Sequence, residues 1–148
     1  YVKIPITNTR QQSASGLIQR LSSQGVRLNI TAILALNQVQ EVAAAVQNGP
    51  ACIVSVFAGR IADTGVDPIP IMKDALAILQ SAPNAELLWA SPREVLNIYQ
   101  ADAIGCDIIT ATNDLLQKLA LAGKDLAEYS LETVRMFYND AQKAGYEL

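Results

Sequence analysis

A single lysine, Lys3, sits in the strand-like run Tyr1-Val2-Lys3-Ile4-Pro5-Ile6-Thr7. Between Val2 and Ile4 inside a sheet, a solvated ammonium is expensive, and burial favours the neutral amine. A neutral amine attacks carbonyls and forms a Schiff base. The alternative is an edge lysine whose stem packs while its head reaches water. Other polar residues fall where apolar runs end. Asn29 and Thr31 are two apart, as are Ser55 and Phe57; Arg60 follows Gly59, and Ser91 is followed by Pro92 and Arg93. Thr110 and Thr112 look like caps. An amine, small hydrogen-bonding groups and two arginines suit one chemistry. The amine condenses with a ketose carbonyl, the iminium takes up electrons, and the hydroxyls place water for proton transfer. The arginines would hold a phosphate beside the free N–H groups of a helix opening at Ser91. Each group has a plainer use: Asn29 and Thr31 as ordinary strand-end residues, Ser91 as a helix cap, and Arg60 as a brace to Asp63 or Asp67.

Several other chemistries are excluded. The chain has no histidine, which removes Ser-His-Asp and Cys-His catalysis and the commonest zinc ligand. Cys52 and Cys106 lie in apolar runs without metal-ligand spacing and read as buried thiols of a reducing, cytoplasmic compartment. A net charge of −3 without Lys/Arg clusters argues against a nucleic-acid binder. No apolar run has the length of a membrane span and no signal peptide opens the chain. Tyr1 is not an initiator methionine, so the expectation is that something precedes it. The 148 residues, 51% hydrophobic and 17% charged, are expected to form a single domain over 1–148.

The elements that must position these groups alternate. After the first strand, Asn8 to Gln12 reads as a loop and Ser13 to Gln24 as a helix stopped by Gly25. Val26 to Ile33 is a strand, with Leu28 and Ile30 facing one way and Asn29 and Thr31 the other. Asn37 caps a helix running to Gln47. Ala51 to Phe57 is continuously apolar, as a strand covered on both faces should be. Ala58 to Pro70 reads as irregular, Ile71 to Gln80 as a helix and Glu86 to Ala90 as a strand. Ser91-Pro92-Arg93-Glu94 has the form of a capping box opening the next helix. Cys106 to Thr110 is a fifth strand, Thr112 to Leu121 a helix, and Ser130 to Ala144 a last amphipathic helix. Strands alternating with helices predict an α/β fold with a parallel sheet, whose functional residues gather at the carboxyl ends of the strands.

Four of these stretches resemble, in order and spacing, the transaldolase and fructose-6-phosphate aldolase family: Val2-Lys3-Ile4-Pro5-Ile6-Thr7, Asn29-Ile30-Thr31, Ser55-Val56-Phe57-Ala58-Gly59-Arg60-Ile61 and Ala90-Ser91-Pro92-Arg93. The resemblance runs from Tyr1 through Asn113. It implies a class I aldolase on a (β/α)8 barrel of the TIM type, with no metal or organic cofactor and with sugar phosphates as substrates. Lys3 matches the Schiff-base lysine. Asn29 and Thr31 match contacts to substrate and catalytic water, and Ser55 another substrate contact. Arg60, Ser91 and Arg93 match the phosphate site. Phe57 stands where the aldolase branch tends to carry tyrosine, which favours transfer of a dihydroxyacetone unit over aldol cleavage. A non-catalytic sugar-phosphate binder would keep the arginines without using Lys3. The family's lysine strand is the fourth of eight, so the chain is expected to supply strands four to eight plus a C-terminal helix. The strands bearing an acid/base aspartate, an asparagine and a glutamate have no counterpart in it. Five strands cannot close such a barrel. The fragment alone is therefore expected to be a weak or dead catalyst, and its last helix to pack on another subunit as in smaller family members. Pro92 replaces an aromatic residue frequent in relatives.

Overall fold

A computed structural model describes residues 1–146. Five strands form one sheet in the order of the chain: β1 (Val2–Pro5), β2 (Leu28–Ile33), β3 (Cys52–Val56), β4 (Ala85–Trp89) and β5 (Ile108–Ile109). Every pairing is parallel. The intervening helices are α1 (Ser15–Ser23), α2 (Leu36–Val46), α3 (Ala58–Asp63), α4 (Pro68–Leu79), α5 (Leu96–Ala103) and α6 (Asn113–Lys118). A short 3-10 turn, Leu119–Leu121, leads to α7 (Leu126–Lys143). The α/β parallel architecture is the expected one.

Alternation along the strands explains the layering. Leu28 and Ile30, Cys52, Val54 and Val56, Leu87 and Trp89 share one core with Ile18 of α1, Val39, Val42 and Val46 of α2, Met72 and Ala75 of α4, and Ala101 of α5. One layer of helices thus covers one face of the sheet. The residues between them, Lys3, Asn29, Ile53, Ser55 and Leu88, lie on the opposite face, outside that core. The sequence reading of β3 as apolar on both sides needs this adjustment: Ser55 and Ile53 look away from the helices.

Several boundaries differ from the sequence expectations. The segment after β3, read as irregular, is helical at once, as α3, and Gly59 within it packs against the Ser91 backbone. Helix α4 opens at Pro68, where the Asp67 carboxylate accepts from Ile69 N at 3.0 Å and proline occupies the first turn. Helix α7 begins at Leu126, because Asp125 accepts from Glu128 N at 2.9 Å. None of the residues of α7 is buried. Among the described residues no helix is long and apolar enough to cross a membrane.

Candidate active site

Lys3 and Asn29 are register partners on β1 and β2, and both occupy the second position of their strands. They therefore sit within the ladder, short of the carboxyl ends. Ser55 on β3 completes a cluster with them: its Oγ donates to Asn29 Oδ1 at 2.7 Å. Ser55 is 2% exposed although it lies on the uncovered face. Its bond orients the Asn29 amide and leaves the Nδ2 protons to other acceptors. Lys3 itself is exposed. The burial expected of an ammonium inside a sheet is not present, because β1 is an edge strand and no helix covers this face.

Thr31, two residues beyond Asn29, sits at a break in register. Ile30 pairs with Val54 but Ile33 with Val56, so β2 carries an extra residue, and Ala32 takes up the bulge with φ 61°. The Thr31 carbonyl accepts from Ile6 N at 2.9 Å, while its hydroxyl oxygen is buried with no partner among the described residues. An orphaned buried hydroxyl beside a bulge is a place where water or a ligand oxygen completes the hydrogen bonding.

The rim lies beyond β3 and β4. Phe57 follows β3, its N–H donating to Ile33 O at 2.8 Å, and its ring stands 5.1 Å from the Arg60 guanidinium carbon. This cation–π contact draws Arg60 toward the start of α3. Gly59 packs directly on the backbone after β4, and its N–H donates to Ala90 O at 3.2 Å.

Ser91 is not a helix cap. It has φ 59°, in the left-handed region, and α5 begins only at Leu96. The buried Asn97 explains the change. Its Oδ1 accepts from Arg93 N at 2.7 Å and from Glu94 N at 3.2 Å, and its Nδ2 donates to Gln100 Oε1 at 2.9 Å. A side-chain oxygen from within the helix thus occupies the N–H groups that sequence reasoning offered to a phosphate. These two amides are therefore already satisfied within the chain. Asn97 was missed because a polar residue at the second position of a helix carries no signal of reaching three and four residues back.

The expected brace also changes hands. Asp63 on α3 pairs with Arg93, not Arg60: Arg93 Nε donates to Asp63 Oδ1 at 3.1 Å, and Arg93 Nη2 to Oδ2. Both side chains are about half exposed. Arg60, Ser91 and Arg93 are therefore gathered around the α3 start and the β4–α5 loop, and Lys3, Asn29 and Ser55 form a second group on the sheet face. The surface grooves of the helical layer, between α1 and α2, touch none of these residues.

The chain also has relatives among known proteins. The sequence pattern described as Transaldolase/Fructose-6-phosphate aldolase matches residues 1–148. A probable transaldolase of Nitrosopumilus maritimus is 32% identical over 120 residues, covering 80% of this chain and 50% of the relative. Probable transaldolases of Thermoanaerobacter sp. and Roseobacter denitrificans are each 30% identical, covering 99% of this chain and 62% of theirs. The chain thus spans between half and two thirds of the length of these relatives.

Proposed function

We propose, given that the chain belongs to the transaldolase/fructose-6-phosphate aldolase family, that it supplies the Schiff-base half of a transaldolase-like enzyme. The reaction is transfer of a dihydroxyacetone unit between sugar phosphates. The observation that carries this is the triad on the sheet face: Lys3 in register with Asn29, whose amide is held by Ser55. In the proposed mechanism the Lys3 amine attacks the ketose carbonyl and water leaves, giving an iminium that accepts the electron pair of the broken C–C bond. The Asn29 amide donates to a hydroxyl of the bound three-carbon unit, and Thr31 Oγ1 holds the water that exchanges protons. Arg60 and Arg93 bind the phosphate, with Ser91 shaping the loop between them. Phe57 supplies no proton, which supports transfer over cleavage by a lyase.

The fold supports a wider placement of the chain. A single-layered parallel sheet in chain order is what strands four to eight of a (β/α)8 barrel would form, and the proposal treats residues 1–148 as one such portion. An oligomer built through α7 belongs to the same proposal. One alternative is a sugar-phosphate binder that keeps the arginines and makes no use of the Lys3 amine. Borohydride reduction with fructose 6-phosphate separates the two. A reduced sugar adduct on the Lys3 peptide, lost in Lys3→Ala, is the expected result. An adduct on another lysine, or none while the phosphate still binds, sinks the aldolase assignment in favour of the binder.

A further inference from the structure

Resting on that reading of the phosphate site, we infer that Asp63 is a positioning residue that aims Arg93 at the anion beside Arg60. The Asp63–Arg93 pair joins α3 to the loop after β4, and its fork takes the Nε and one Nη2 proton of the guanidinium. Both Nη1 protons and the second Nη2 proton remain for a ligand. Arg60 lies three residues before Asp63 on α3, so both project from one side of that helix. Tethering Arg93 to Asp63 therefore brings the second guanidinium to the helix that carries the first.

The pair has little else to do. Two half-exposed side chains contribute little to stability. The loop they bridge is already fixed by the Asn97 oxygen on the Arg93 and Glu94 amides and by Gly59 against Ser91. What Asp63 adds is the direction of a long, rotatable side chain, whose rotamer freedom would otherwise be lost on binding. Its own charge is neutralised by the fork, so the aiming outweighs the repulsion of the incoming dianion. Phosphate is held end-on by Arg93, with the carboxylate behind.

Calorimetric titration of inorganic phosphate at fixed ionic strength tests this on the whole chain. Asp63→Asn should weaken phosphate about fivefold, the size of one well-formed exposed pair. Asp63→Glu, which keeps the carboxylate, should recover most of the loss. In an Arg93→Ala background, Asp63→Asn should cost nothing further, whereas a merely structural aspartate would give additive losses. Equal or tighter binding by Asp63→Asn, or additivity with Arg93→Ala, overturns the role of Asp63 and leaves the phosphate site standing. A wild-type chain that takes up no phosphate overturns both.

Discussion

Gly59 and Ser91 touch through their backbones: a Cβ on Gly59 would lie 1.5 Å from the Ser91 carbonyl oxygen. No side-chain rotation relieves such a clash, since the obstructing atom is main chain. Ser91 already holds a left-handed φ of 59° and has little room to yield. Gly59→Ala should therefore cost about 3 kcal/mol, the upper end of overpacking penalties. Urea unfolding measures it, and an unchanged midpoint would show that the two loops part freely.

Ser55→Ala should destabilise the chain by about 1 kcal/mol, because it strips a half-buried Asn29 oxygen of its donor. The cost should vanish when Asn29 is also alanine, so a double-mutant cycle in urea reads the bond directly. Additive losses would mean that Ser55 stabilises only by filling space.

Cys52 gives a pH prediction. Burial, helped by the nearby Glu86 carboxylate, raises its thiol from 9.0 to about 11. The folded chain thus prefers the protonated thiol more than the unfolded chain does. That contribution to stability is complete below pH 9.0 and is lost as pH rises toward about 11. Native protein at pH 8.5 should alkylate slowly at Cys52 and rapidly once unfolded. Fast labelling of the native Cys52 peptide would contradict its burial.

Helix α7 should mediate self-association. Leu131, Val134 and Tyr138 follow a spacing of three and four, and all remain exposed. Sedimentation equilibrium should give a multiple of 15.9 kDa, reduced to that mass by Val134→Asp. A monomer at every concentration removes the idea.

Alternation with helices exposed the parallel sheet, and period-two spacing gave the two faces of β2, with Asn29 and Thr31 opposite Leu28 and Ile30. It did not give those of β3, where Ser55 interrupts an otherwise apolar run. The site was legible as a set of residue types. Its internal bonds were not, because they depend on through-space partners. Asn97 and Asp63 lie far along the chain from what they hold or point backward within a helix. The capping box at Ser91 failed for this reason: Ser-Pro-Arg-Glu has the right local form, but the Asn97 side chain had already claimed the amides. Likewise Gly59 fell in a stretch read as irregular, whereas it lies in α3 and its missing side chain admits a neighbouring backbone.

The order of the strands has a consequence for how the chain folds. Each strand after β1 pairs with the one before it, so every sheet contact closes a single crossover, of one helix except between β3 and β4, where α3 and α4 intervene. Loop-closure entropy is then lost in modest instalments, and docking can advance from the amino end while later residues are still emerging from a ribosome. The two-residue β5 arrives last and has least to hold it. Pulsed hydrogen exchange should find the amides of β2 and β3 protected before those of β5; simultaneous protection would instead mean that the sheet condenses as one unit.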